Sequence, residues 1–398
     1  MAKEDVFSYL KEYGEVSFLQ EGVNAVDQLL LNELCYLPLT GLVSPEFSRA
    51  SAKSLASLSD QVQERQVLWD QNPGLATTKR RDLFQLMSEL SRYKDLHFLG
   101  YREEVSVVTE RQFAAVVLTI PEISYSQVVF RGTDTSLIGW KEDFMMTYRS
   151  EIPAQEMAQA YLKEVLANWS TDLVVTGHSK GGNLALYASL QQDSEAADKL
   201  LALVTYDAPG LHPRILAKDS ANPMLSRLTA YRPQESLVGV MLEMPEQTKT
   251  IQSRGQLLMQ HSIFNWQVSE TALVPAVKGQ TLLSQTMERV FDQFLDALPN
   301  AQLKLCVDTV FDSLILAGVA DLTDFQSSFM TSSRRALEGL TGIPAEKRRA
   351  VLDALATLMS LIFQEGVKQV GEKAKNKWDV REDIKKRLEA FRWDGKSD

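Results

Sequence analysis

Apolar positions fall into two rhythms along this chain. Phe113 to Ile120 is a continuous apolar run, and Gln127-Val-Val-Phe130 follows it after a turn. Both have the length of buried strands and read as neighbours in one sheet. Leu173 to Thr176, Leu201 to Tyr206 and Arg227 to Tyr231 are further short runs, and Lys249 to Ser253 reads as a last strand. Helical patterns lie between them: Ile152 to Trp169, starting near Pro153, and Asn183 to Leu190. Strands alternating with helices predict an α/β fold whose sheet is mostly parallel.

The flanks are helical in tone. Asn24-Ala-Val-Asp27 reads as a helix start, with Asn24 as cap and an acid three residues on. Leu29, Leu30, Leu34 and Tyr36 would bury one face of that helix before Pro38. Ser51 to Tyr93 is charged and helical, and is expected to wrap one side of the domain. From about residue 271 the strand signal ends. Met287, Val290, Phe291, Phe294, Leu295 and Leu298 recur at helical spacing, and Val307 to Val319, Arg349 to Phe363 and Lys373 to Arg392 are further helices. The expected organisation is an α/β domain over 1–270, including the N-terminal helices, and a helical C-terminal extension over 271–398. Those last helices are expected to pack on the core, or to serve a homo-oligomer or a protein partner.

Composition narrows the classes. The 398 residues are 44% hydrophobic and 24% charged, ordinary values for a globular protein. A net charge of -10 argues against a nucleic-acid partner. Cys35 and Cys306 are far apart, lack metal-ligand spacing and sit among apolar residues, so reduced core cysteines are expected. No apolar run reaches the length of a membrane span, and the polar start Met-Ala-Lys-Glu-Asp-Val lacks a signal core. The expectation is a cytoplasmic protein with no transmembrane segment.

The chemistry concentrates in Leu173-Val-Val-Thr-Gly177-His-Ser179-Lys180-Gly181-Gly-Asn-Leu-Ala185. A strand, a sharp turn around Ser179 and a helix start are the context of a nucleophile elbow. Gly177 and Gly181 are needed where side chains would collide with the neighbouring strand or helix. A bare Gly-x-Ser-x-Gly arises by chance in about one chain in ten of this length. The flanking strand and helix patterns make the functional reading the stronger one.

A serine hydroxyl needs a base, usually a histidine oriented by a carboxylate. The chain has four histidines. In this type of site the chain order is serine, acid, histidine, which disfavours His97. His178 adjoins the nucleophile and should point away from it. His212 follows its strand closely, whereas His261 lies beyond the last expected strand and is the preferred base. For the acid, Asp207 in Thr205-Tyr-Asp-Ala-Pro-Gly210 ends the strand after the elbow, and Glu235 ends the next one. Either can reach a histidine on the last loop. Asp207 is preferred because a Pro-Gly turn would hold it rigidly, and Glu235 stays as the alternative. Oxyanion donors are expected at the Lys180 N–H and, from the loop Val128-Val-Phe-Arg-Gly132-Thr133-Asp134, at the Thr133 N–H.

Together Val-Phe-Arg-Gly-Thr133, Gly139-Trp140-Lys-Glu-Asp143 and Gly-His-Ser-Lys-Gly181-Gly-Asn-Leu-Ala resemble the class 3 lipases, a branch of the α/β-hydrolases. More closely, the chain resembles a group of uncharacterised bacterial lipase-like proteins. It shares their Asn-x-x-Asp-x-Leu at Asn24 to Leu29, Asp-x-Pro-Gly at Asp207 to Gly210 and His-x-x-Phe-x-Trp at His261 to Trp266. The resemblance spans about residues 20 to 270. It implies an α/β-hydrolase fold, Ser179 as nucleophile, His261 as base, and Thr133 with Lys180 at the oxyanion hole. It also implies that Trp140 belongs to a lid or to the mouth of the site. Class 3 lipases carry their acid near where Gln234, Glu235 and Ser236 stand here, whereas pancreatic-type lipases place it where Asp207 stands. The acid therefore stays open between Asp207 and Glu235.

The function expected is a serine acyl hydrolase of the esterase or lipase kind, acting on a small-molecule acyl ester or a lipid, with no metal or organic cofactor. A thioesterase or amidase is an alternative on the same fold. A catalytically inactive interaction module is the competing class.

Overall fold

A run such as Phe113 to Ile120 carries apolar side chains on both faces, so it is stable only where both faces are covered. The computed structural model describes residues 4–65, 77–106, 108–134, 137–245, 248–316 and 345–370. It places this run in an eight-stranded sheet. Strands β1 (Lys53–Ser54), β2 (His97–Ser106), β3 (Arg111–Ile120), β4 (Tyr125–Phe130), β5 (Leu173–His178), β6 (Leu200–Tyr206), β7 (Leu228–Pro233) and β8 (Thr248–Ile251) lie side by side in sequence order. Pairings from β1 to β4 are antiparallel, and those from β4 to β8 are parallel.

A parallel sheet that grows in one direction through right-handed crossovers puts those crossovers on one face. Here that face holds α5 (Leu137–Met145), α6 (Pro153–Asn168) and α7 (Lys180–Leu190). Ala115, Val117, Val128, Phe130, Val175 and Leu203 point into it. The opposite face must be covered from elsewhere in the chain. It is covered by α1 (Val6–Tyr13), α2 (Ala25–Leu34), α3 (Leu55–Glu64) and α4 (Thr77–Glu89), packed on Ala114, Val116, Leu118, Val129, Val174 and Val204. The architecture is that of an α/β-hydrolase, with a helical C-terminal part.

That part consists of α8 (Leu282–Ala297), α9 (Asn300–Leu316) and α10 (Ala345–Val370). Leu303, Val307, Phe311 and Ala354 belong to the same apolar cluster as α6 and α7. Phe311 meets Phe144 of α5 with ring centroids 5.6 Å apart, and Lys141 Nζ reaches Asp312 at 2.8 Å. The start of α8 is pinned beside the loop after β7, because Ser284 Oγ donates to the Ser236 carbonyl at 2.7 Å. The helix expected over Lys373 to Arg392 lies outside the described residues. No described helix is long and apolar enough to cross a membrane.

Strand β2 was not expected from the pattern. Its register against β3 shifts between Leu99 and Arg102, and Gly100 takes φ +64° under the Phe47 ring. The bulge breaks the alternation that would otherwise mark the strand. Cys35 and Cys306 are free thiols, Cys35 buried and Cys306 partly so.

The Asn24 cap forms as expected. Its side chain accepts from the Val26 and Asp27 N–H groups, and Asp27 Oδ2 accepts from the Asn24 N–H. Asp27 is fully buried and does more than cap. Arg92 approaches it through Nη2 at 2.6 Å and Nε at 3.1 Å, and Tyr9 and Tyr93 donate to the same carboxylate. Removing one partner of a buried ion pair costs about 3–5 kcal/mol, because the remaining charge is left uncompensated. Arg92→Met should lower the unfolding free energy by about that amount in urea titrations. A loss below ~1 kcal/mol would contradict this role for the pair.

Candidate active site

Ser179 sits at the junction of β5 and α7 with φ 59° and ψ -135°. A non-glycine residue is strained there, so the surroundings must hold it. They do so by close approach. A Cβ on Gly177 would run into the Gly181 carbonyl, and one on Gly181 would run into the Phe130 carbonyl of β4. Every residue of α7 is buried, and the Ser179 N–H donates to the Tyr206 carbonyl at 2.9 Å. Gly132 lies against this turn, since a Cβ there would stand 2.5 Å from the His178 carbonyl and 3.0 Å from Ser179 Cβ.

Asp207 directly follows β6 with φ 42°, a left-handed conformation that aspartate tolerates better than most residues. It is wholly buried. His261 Nδ1 lies 2.7 Å from Asp207 Oδ2. Ser236 Oγ donates to Asp207 Oδ1 at 2.5 Å, and the Gly239 N–H donates to it at 3.2 Å. The carboxylate is thus held by donors on both oxygens, with the His261 ring oriented through Nδ1 and its Nε2 left for another partner. The His261 side chain is partly accessible.

The Ser179 turn and the His261 loop touch through His178. Its ring stacks on His261 with centroids 4.6 Å apart, and its Nε2 lies 2.9 Å from the His261 carbonyl. Its other nitrogen faces Glu33 of α2, with Nδ1 3.5 Å from Oε1. Burial holds the His178 pKa below the ordinary histidine value, against the pull of Glu33. Arg80 of α4 meets Glu33 Oε2 at 2.5 Å. Burial opposes the charge on Glu33, but Arg80 and His178 outweigh it and bring its pKa down to about 2.

The loop after β4 is held from inside. Thr133 Oγ1 lies 2.8 and 2.7 Å from the two oxygens of Asp143. The Lys180 side chain is fully buried, with Nζ 2.9 Å from Glu142, 3.6 Å from Asp143 and 3.1 Å from the Gln112 carbonyl. Burial works against the lysine charge, yet Glu142 and Asp143 prevail and keep its pKa above the ordinary value. The first turn of α7 also supplies N–H groups that have no acceptor within the helix.

The other sequence candidates fall elsewhere. His212 caps a short helix by accepting from the Arg214 N–H, and His97 opens β2. The carboxylate paired with His261 is that of Asp207. Glu235 lies in the loop after β7, its N–H donating to Gln260 Oε1 at 3.0 Å. Trp140 on α5 packs, partly buried, against the α6–α7 core. Sequence reasoning missed Ser236 and Glu33. Ser236, named from the sequence only as a neighbour of Glu235, donates its hydroxyl to Asp207. Among the described residues, no cluster of His, Cys, Asp or Glu could hold a metal ion.

Ser179, Asp207 and His261 all lie within residues 87–312, more than half of the chain, which match the Mbeg1-like family. The chain belongs to the Mbeg1-like family. A search of curated proteins gives no match for this Mbeg1-like chain. Among solved structures, the crystal structure of M37 lipase is similar at 12% identity and a TM-score of 0.36. The alignment covers 83% of this chain and 98% of that one.

Asp143 gives this site of the Mbeg1-like chain a pH signature. Burial raises its pKa to about 6 despite Lys180, so the folded protein binds this proton more tightly than the unfolded chain does. The stability it contributes is full below about pH 4 and is lost as the pH rises through about 6. Urea unfolding from about pH 4 to about pH 7 should show the wild type losing up to ~3 kcal/mol relative to Asp143→Asn. A difference that stays flat or grows with pH would refute this.

Proposed function

We propose that this protein is a serine acyl hydrolase in which Ser179, His261 and Asp207 act as a triad. The observation that carries the reading is the His261–Asp207 hydrogen bond beside a strained Ser179 at a strand-to-helix turn. Asp207 fixes the tautomer that leaves His261 Nε2 free to take the Ser179 proton. Ser179 Oγ then attacks a carbonyl carbon, and the Lys180 and Thr133 N–H groups receive the developing oxyanion. Collapse expels the alcohol with the proton returned by His261, and water repeats the sequence on the acyl-enzyme. Lys180 contributes by its backbone, since its side chain is occupied in the buried Glu142–Asp143 network.

The substrate class we favour is a carboxylic ester with an apolar acyl chain. Leu258 and Met259, on the turn that leads into His261, are about half exposed at 48% and 51%. Apolar side chains left in water beside the base favour an apolar substrate over a polar one. Thioesters and amides would use the same attack and serve as comparison substrates.

A fluorophosphonate probe should label the wild type and not Ser179→Ala. Asp207→Asn should lower the labelling rate by about 10³–10⁴-fold, as expected for loss of the orienting carboxylate. Glu235→Gln should stay within about threefold of wild type. A folded wild type that resists the probe, or Asp207→Asn reacting at the wild-type rate, would overturn the assignment.

A further inference from the structure

His178 is a buried, titratable side chain that the proposed mechanism does not use. Its position is nonetheless tightly specified. It ends β5, directly before Ser179, and its ring lies flat against His261 with an interplanar angle of 28°. A carbonyl oxygen only accepts, so the 2.9 Å contact with the His261 carbonyl requires the hydrogen on His178 Nε2. The edge of Trp266 closes a further side, with centroids 6.1 Å apart.

We infer that His178 is a positioning residue for His261, holding the base through its backbone carbonyl and by ring stacking. This rests on the triad reading above. The N–H of His178 Nε2 fixes the carbonyl of the base residue, while Asp207 fixes the side chain through Nδ1. Two contacts at opposite ends of one residue define where its Nε2 points. Glu33 lies behind the His178 ring, and Arg80 compensates its charge. Arg80 also lies over the Tyr36 ring at 3.9 Å, and the Tyr36 hydroxyl accepts from the Gly132 N–H at 3.1 Å. One buried assembly on the α2–α4 side thus reaches both the base and the loop that faces Ser179.

Glu33, Arg80 and His261 are the titratable groups around the His178 ring, and burial lowers its pKa.

The test compares side chains at position 178 in the full chain, with ester turnover and fluorophosphonate labelling read together. His178→Phe keeps a stacking ring and removes the donor. His178→Gln carries an amide N–H near the place of Nε2, and His178→Asn carries one near Nδ1. His178→Phe should lower kcat and the labelling rate by about tenfold to a hundredfold with KM little changed, as expected for a displaced base. His178→Gln should recover most of that loss, and His178→Asn should not. Thermal unfolding of the Gln and Asn variants should coincide. Rates that are equal for Gln and Asn, or a His178→Phe enzyme as fast as wild type, would overturn the inference. If His178→Phe does not fold, the Gln–Asn comparison alone decides. A wild type that resists the probe refutes the triad reading instead, so the two failures are distinct.

Discussion

The close approach of α7 to β4 and β5 governs this molecule's carboxyl edge. Gly177 and Gly181 allow helix and strands to meet at a distance that side chains forbid. That contact holds Ser179 in a backbone conformation it would not adopt alone. It also presses Gly132 against the same turn. Strain at one residue persists because a fully buried helix cannot move to relieve it. The apolar packing of α6 and α7 therefore acts directly on the geometry of a hydroxyl group.

A second layer of polar contacts works where apolar packing gives no direction. Asp207 receives Ser236, Gly239 and His261, and Asp143 receives Thr133. The contacts to Asp207 link segments that follow different strands, and the Thr133 contact ties the loop after β4 to α5. Carboxylates suit this role because each offers several acceptor positions and bonds strongly to N–H and O–H donors when ionised. The arrangement resembles the buried Asp27 cluster, where one carboxylate gathers groups from α1, α2 and the segment after α4.

The elbow strand and helix, the glycines and the Asp-x-Pro-Gly turn were legible because their geometry is local. Chain order then picked out His261 among four histidines. Asp207 was the preferred partner for it because of the Pro-Gly turn, with Glu235 as the alternative. The fold pairs His261 with Asp207, and Ser236 points its hydroxyl at the same carboxylate and ties the loop after β7 to it. Strand β2 escaped notice because its bulge at Gly100 interrupts the alternation. Glu33 and Arg80 escaped for another reason: their role exists only where α2 and α4 pack beneath the end of β5. No spacing rule connects residues that meet through a sheet face.

The chain's early residues are bound to its late ones. Glu4 bridges Val268, and Arg254 reaches Asp5 at 3.3 Å, so α1 docks beside the segment that follows the last parallel strand. During synthesis the helices of the α1–α4 layer emerge well before these partners. Their apolar faces find much of their cover on β2 to β6, but the α1 edge is completed only when the stretch beyond β8 has been made. That edge is thus closed by contacts distant in sequence, the kind that form late in folding. A nascent chain halted just after β6 would contain Ser179 and Asp207 but not His261, so the hydrogen bond between His261 and Asp207 can form only once the stretch beyond β8 has been made.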